Sequence, residues 1–124
     1  MAIQSFRDLA VWQHAMRLVE DVYATTSSFP SSELYGLTSQ MRRCAVSIPS
    51  NIAEGRGRQS TPDFVKFLTI AYGSLAELQT QLELSWRLNY ISKQANERFQ
   101  EQTNEIGRML NGLMNSLRRR TSEP

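Results

Sequence analysis

Residues 60–88 read STPDFVKFLTIAYGSLAELQTQLELSWRL, and this stretch indicates the fold class. It opens with Ser60, a helix-capping hydroxyl, followed by Pro62 in the first turn and Asp63 at the positive end of a helix dipole. Apolar residues then recur every three or four positions, which is the period of an amphipathic helix. The pattern predicts a helix over residues 62–88. Its apolar face consists of Phe64, Phe67, Leu68, Ala71, Leu75, Leu78, Leu82 and Trp86.

The same period recurs in three other stretches, and nothing in the sequence alternates with period 2 for long. It predicts helices over residues 8–26, 33–54 and 92–120. Because the turns between the helices are short, we expect successive helices to run antiparallel. The expected fold is therefore all-α: a single domain over residues 1–124 that forms an up-down-up-down four-helix bundle.

Local capping signals mark the ends of these helices. Ser5, with Asp8 three positions later, resembles a capping box for the first helix. Gly55 and Gly57 are expected to end the second helix as C-capping glycines. Ser92 supplies a capping hydroxyl for the fourth helix.

The composition excludes most kinds of catalytic and metal site. The 124 residues include one cysteine, Cys44, and one histidine, His14. This rules out a disulfide framework, a multi-cysteine zinc site and most histidine-based catalytic groups. Cys44 lies on the apolar face of the second helix, where a thiol behaves as a small hydrophobe. We therefore expect no catalytic residue, no metal and no cofactor.

Signals of a membrane or exported protein are also missing from the sequence. No apolar run approaches the ~20 residues that cross a bilayer. The N-terminal stretch MAIQSFRDLAVW lacks the charged and apolar regions of a signal peptide. The expectation is a cytoplasmic protein with no membrane partner and no small-molecule substrate.

The first helix has a wide apolar face. Its apolar side chains fill about 180° of the helical wheel, whereas a helix that faces only its own bundle needs roughly 100° or a little more. The excess width predicts a second packing surface, and hence a homo-oligomer. The candidate subunit contacts are Val11, Ala15, Leu18 and Val22.

A row of polar residues borders the apolar faces of the second and third helices. Its members are Gln40, Ser47, Asn51 and Glu54 on the second helix and Ser74, Glu77, Gln81 and Ser85 on the third. One interpretation is a flank where polar groups link adjacent helices, with Gly73 allowing close approach. The other is a buried polar site, or a subunit contact specified by hydrogen bonds.

The basic residues are distributed unevenly along the chain. The net charge is only +2, but in an up-down-up-down bundle the second connection and both termini lie at the same end. That end collects Arg7, Arg56, Arg58, Arg118, Arg119 and Arg120. Complementation of helix dipoles is one explanation. The other is a surface for RNA or DNA, strengthened when several subunits present it together.

Short motifs in register over roughly residues 6–91 point to a family. They are FRDLAVW at 6–12, FP at 29–30, ELYGL at 33–37, QMRR at 40–43, SI at 47–48, NIAEG at 51–55 and GSLAEL at 73–78. Together they resemble the four-helix-bundle proteins related to 23S rRNA intervening-sequence proteins. The most specific part is residues 47–55.

This resemblance implies a cytosolic bacterial protein that assembles as a ring of five bundles. A relative is the accessory protein of diversity-generating retroelements, a basic pentameric barrel that binds nucleic acid and a reverse transcriptase. The resemblance supplies no catalytic residues.

The sequence thus predicts a non-enzymatic homo-oligomer, by resemblance a pentamer, that binds RNA or DNA weakly through its basic end. The alternative is a protein-interaction scaffold with no nucleic-acid role. A remote alternative is an enzyme that uses the polar row of helices 2 and 3. Salt-dependent binding to generic RNA distinguishes the first two, and the third requires a deep pocket with carboxylates of shifted pKa.

Overall fold

The computed structural model describes residues 5–122, and every regular element in that range is helical. Its four α-helices are α1 (Ala10–Thr26), α2 (Leu37–Arg56), α3 (Thr61–Arg87) and α4 (Lys93–Ser122). Two short 3-10 turns, Phe6–Asp8 and Ser31–Glu33, precede α1 and α2. The all-α class and the four predicted helices are confirmed.

Each helix packs against its neighbour in the chain, and α1 also meets α4. Contacts at the two ends show the antiparallel order. Arg42, near the start of α2, donates to the Tyr23 carbonyl near the end of α1, and Gly55, near the end of α2, approaches Phe64 near the start of α3. We call the end that holds the α2–α3 connection the arginine end. The other end, which holds the α1–α2 and α3–α4 connections, is the opposite end.

One hydrophobic core runs along the bundle and uses the apolar faces predicted for all four helices. Its largest fully buried apolar side chains are Leu18, Val22, Met41, Ile48, Ile52, Leu68, Leu78, Leu82, Ile106 and Leu110. Burial of a side chain of this kind contributes roughly 1.5–3 kcal/mol relative to its exposure to water. The core therefore fixes which face of each helix points inward.

The start of α1 differs from the prediction. Ser5 Oγ accepts a hydrogen bond from the Arg7 backbone N–H at 3.1 Å, so it caps the 3-10 turn. The helix itself begins after Leu9, which has extended backbone angles and no side-chain cap. The capping signal belongs to the turn that precedes α1.

The predicted start of α2 at Glu33 is wrong by four residues. The Glu33 carboxylate accepts the Leu37 backbone N–H at 3.1 Å and the Tyr90 hydroxyl at 2.8 Å. It therefore caps α2 from outside the helix. A Cβ at Gly36 would lie 2.8 Å from Glu33 Oε1, so glycine at this position leaves room for the capping carboxylate.

The two glycines expected to end α2 have different roles. Gly57 is the C-cap, but Gly55 lies inside the helix and is buried. A Cβ at Gly55 would come within 2.8 Å of Phe67 Cβ and 3.0 Å of Phe64 Cδ1. Gly55 therefore allows α2 and α3 to approach closely. Gly73, predicted to have that role, has nothing near its Cβ position.

The other capping predictions are confirmed. Ser60 Oγ accepts from the Asp63 N–H at 3.2 Å, and Ser92 Oγ accepts from the Ala95 N–H at 3.0 Å. In the α3–α4 connection, Asn89 has a φ of 65°, in the left-handed region that asparagine tolerates better than most residues.

Candidate nucleic-acid interface

The polar row is exposed or half-buried along most of its length and buried only at one end. Gln40, Glu54 and Glu77 are exposed, Ser47, Asn51 and Ser74 are half-buried, and Gln81 and Ser85 are buried. Ser47 Oγ donates to the Cys44 carbonyl at 2.6 Å, and Asn51 Nδ2 donates to the Ser47 carbonyl at 2.7 Å. Both bonds stay within α2. The row is a partly exposed flank between α2 and α3.

Cys44 connects the two helices beside this row. Its thiol donates to the Ser74 carbonyl, with Sγ and O 3.0 Å apart. Burial raises the pKa of Cys44 to about 12, and the nearby Glu77 carboxylate adds to the effect. Because only a thiolate is a strong nucleophile, this thiol is protonated and unreactive at neutral pH.

Residues 5–122 contain no group of three or more histidine, cysteine or acidic side chains placed to hold a metal ion. Within the same range, no helix is long and apolar enough to cross a membrane.

The six predicted arginines lie on elements that end or begin at the arginine end. Arg7 is in the 3-10 turn before α1, Arg56 is the last residue of α2, and Arg58 is in the α2–α3 connection. The run 118–120 occupies the last turns of α4. All are exposed except the half-buried Arg56.

Three of these arginines line one cleft of about 540 Å³, which we call the arginine cleft. Arg56 and Arg58 reach it from the end of α2 and the connection that follows, and Arg120 reaches it from the end of α4. Its apolar lining consists of Leu9, Phe64, Leu113 and Leu117. Its polar lining consists of Gln59, Ser60, Thr61 and Ser116. The cleft thus combines cationic groups with an apolar surface.

Local contacts hold Arg58 beside this cleft. Its Nη2 lies 2.8 Å from Glu54 Oε2, and its guanidinium lies 4.8 Å from the centre of the Phe67 ring. Both members of the ion pair are about half exposed, so the pair adds little stability. The stacking orients the guanidinium more than it anchors the fold.

The prediction that Val11, Ala15, Leu18 and Val22 form subunit contacts is wrong. Val11 is 4% exposed and the other three are 0% exposed within one subunit. All four belong to the subunit's own core, because α1 turns this half of its apolar arc toward the bundle. A second subunit cannot reach them without opening the fold.

The other half of the α1 arc stays at the surface. Met16 and Tyr23 are 39% and 42% exposed, and Trp12 and Val19 are half-buried beside them. These side chains continue onto Val46, Pro49 and Ala53 of α2, which line the same groove as Trp12, Met16 and Val19. We call this surface the α1–α2 apolar face.

Sequence reasoning found the arginines but missed the cleft and the α2 part of the apolar face. Phe64 and Leu113 fit the apolar stripes of their helices, so nothing in the sequence separates them from core residues. Val46 lies outside the three- and four-residue spacing of the buried α2 residues Met41, Cys44, Ile48 and Ile52. An apolar residue on the polar side of α2 was the available signal that α2 contributes to the second apolar surface that the wide α1 arc indicates.

The family is now established by comparison. The model of the family described as 23S rRNA-intervening sequence protein matches residues 7–112. The chain belongs to the 23S rRNA-intervening sequence protein family. No curated protein matches the chain significantly.

A solved structure supports the fold of this family member. It is the crystal structure of a protein of unknown function from the S23 ribosomal protein family of Bacteroides thetaiotaomicron. The TM-score is 0.77 at 24% identity, over 85% of this chain and 95% of that chain. At this identity the similarity establishes the fold only.

Proposed function

We propose that this intervening-sequence family protein is a non-enzymatic homo-oligomer that binds RNA or DNA through its arginine end. The observation that carries the proposal is the convergence on one cleft of Arg56 and Arg58, at the α2–α3 junction, with Arg120, at the end of α4. The name of the family, which refers to an rRNA intervening sequence, agrees with a nucleic-acid partner.

The charge at the arginine end supports weak binding by one subunit. By their positions in the sequence, the six arginines are accompanied by Asp8, Glu54, Asp63 and Glu123, which leaves an excess of two positive charges. Phosphate contacts made by such a surface are sequence-independent and weaken steeply with salt. Several copies in one assembly act together on one strand, so affinity depends on oligomerisation.

The experiment is retention of the protein on single- and double-stranded RNA and DNA at ~50 mM salt. A variant with Arg118, Arg119 and Arg120 changed to serine should lose most of the retention. The matched control changes Arg17, Arg87 and Arg98 to serine, which removes the same charge away from the arginine end. Equal loss in both variants, or no retention of the wild type, contradicts the proposal and favours the scaffold alternative.

The α1–α2 apolar face is the proposed subunit contact. A continuous apolar surface of Trp12, Met16, Val19 and Val46 is rare on a monomer, since large exposed apolar patches usually mark interaction sites. We place a second copy of this chain on it, and by family resemblance the complete assembly is a pentamer.

Light scattering after size exclusion measures the assembly. Met16→Glu should dissociate it with helicity retained, because Met16 is exposed in the subunit. Arg17→Glu, on the polar side of α1, is the control and should leave the assembly intact. Leu18→Glu should instead unfold the subunit, since its side chain is fully buried. A wild-type monomer at micromolar concentration contradicts the oligomer.

A further inference from the structure

We infer that the arginine cleft binds a nucleoside monophosphate group, either as a free nucleotide or as the phosphorylated end of a single strand. This inference rests in part on the proposed function, because the second source requires nucleic-acid binding. It differs from the sequence-based expectation that the protein takes no small molecule. The inference is based on the apolar lining and the cationic lining of the cleft.

The size of the cleft fits a small ligand better than a duplex. Its volume of about 540 Å³ lies within the roughly 300–1,000 Å³ typical of small-molecule sites. In a duplex the base faces are stacked against their neighbours. Only an unpaired or terminal nucleotide can present its base to a pocket of this kind.

The apolar lining offers a surface for a base. Phe64 and Leu113 are half-buried and pack on the edge of the core, so one side of each is available to the cleft. Bases bind to aromatic and apolar side chains through their faces, with little dependence on sequence. An inorganic anion gains nothing from this lining, so a ligand with a base is favoured over phosphate alone.

The cationic lining offers donors for a phosphate. Arginine pairs with phosphate oxygens through two parallel hydrogen bonds, and three arginines reach this cleft, of which Arg58 also pairs with Glu54. A terminal phosphate carries more negative charge than the phosphodiester inside a strand. The arginines therefore favour a terminal phosphate group over the strand interior.

The N-terminus of α3 at the cleft is not the source of the recognition. Pro62 has no N–H, and the Asp63 N–H is already bonded to Ser60 Oγ. Asp63 also places a carboxylate in the first turn, where an anion would otherwise benefit from the dipole. The arginine side chains are thus the groups to test.

Isothermal titration calorimetry with 5′-AMP, adenosine and inorganic phosphate tests the inference on the full chain. AMP should bind, and adenosine and phosphate should each bind more weakly by about tenfold or more. Equal affinity for AMP and phosphate overturns the inference, because the apolar lining would then contribute nothing.

Two pairs of variants locate the binding. Ser116→Trp fills the cleft without removing a charge, whereas Asn115→Trp adds the same ring at an exposed neighbouring position outside the cleft. Arg120→Gln removes a lining cation, whereas Arg119→Gln removes one that does not line the cleft. Both cleft variants should weaken AMP binding by roughly tenfold and both controls should not. Loss of AMP binding in all four variants, or in none, overturns the inference. Because Arg120 is exposed, its variant should fold and remains informative if Ser116→Trp does not fold.

A comparison of 5′-phosphorylated and 5′-hydroxyl single-stranded DNA distinguishes the two sources. Preference for the phosphorylated strand, lost in Ser116→Trp, assigns the cleft to a strand end. AMP binding without that preference assigns it to a free nucleotide. Retention on RNA with no AMP binding contradicts this inference alone, and AMP binding with no retention on nucleic acid contradicts the proposed function alone.

Discussion

The two ends of the bundle are held together by different kinds of interaction. At the opposite end, polar side chains bridge separate elements: Glu33 joins the start of α2 to Tyr90, and Arg42 joins α2 to Thr26 of α1. At the arginine end, α2 and α3 meet through the close packing of Gly55 against Phe64 and Phe67.

This difference concerns the groups that join one element to the next. Directional bonds at the opposite end place Glu33 and Arg42 against partners on other elements. At the arginine end, apolar contacts close the helix junction, and Arg56, Arg58 and Arg120 line an open cleft. Substitutions of Glu33 and Arg42 should therefore lower the stability of the fold at the opposite end. At the arginine end, substitutions that disturb the close packing of α2 against α3 should do so.

The largest expected loss of stability is at Gly55. Gly55→Val should destabilise the fold by about 3 kcal/mol, because its Cβ would meet the Phe67 Cβ and the backbone of α3. Gly57→Ala is the matched control. A Cβ there lies an ordinary 3.5 Å from the nearest atom, so we expect a change below about 0.5 kcal/mol. Urea unfolding of both variants gives the comparison, and a neutral Gly55→Val would show that the two helices are not closely packed.

Gly55 also shows where sequence reasoning stops. The helical periods, caps and short turns predicted four helices and the end at which the arginines gather, since these depend on local pattern and chain connectivity. A glycine near a helix end is locally indistinguishable from a C-cap, so its contact with Phe67 was not predictable. Likewise, the width of the α1 apolar arc predicted two packing surfaces. The sequence of one helix does not indicate whether the half that contains Leu18 or the half that contains Met16 faces its own bundle.

At the opposite end, substitution of Arg42 should cause the next largest loss of stability. Its Nε donates to Thr26 Oγ1 at 2.8 Å, Nη2 donates to the Tyr23 carbonyl, and the guanidinium lies over the Tyr23 ring. Arg42→Met should cost about 1 kcal/mol, because charge-assisted bonds between α1 and α2 are lost. Arg43→Met, at the exposed neighbouring position, should change stability by less than about 0.5 kcal/mol. If thermal unfolding shows the same loss of stability in both variants, the bonds of Arg42 do not hold the opposite end together.

The same end should show a pH dependence that originates at Glu33. The Leu37 N–H and then the Tyr90 hydroxyl hold the pKa of Glu33 below its ordinary 4.5. A carboxyl whose pKa is lowered by folding stabilises the fold above the ordinary pKa, and that contribution is lost as pH falls through the lowered value. Glu33→Gln should lower the melting midpoint by a few degrees near neutral pH, with a smaller difference from wild type in acid. Tyr90→Phe keeps the ring against Phe29 and should show part of the effect. A difference that stays constant with pH would exclude Glu33 as the source.

The smallest expected effect lies between the two ends, at Asn51 on the polar row. Its amide donates to the Ser47 carbonyl of its own helix and bridges no second element. Asn51→Leu should therefore change the urea midpoint little, by less than about 0.5 kcal/mol in stability. Gln40→Leu, at an exposed position of the same row, is the control. A loss of about 1–3 kcal/mol at Asn51 alone would mean that a partner group is left buried and unbonded. Within the subunit, Asn51 donates to the Ser47 carbonyl, so such a loss would come from that carbonyl or from a group of another subunit that packs on the polar row.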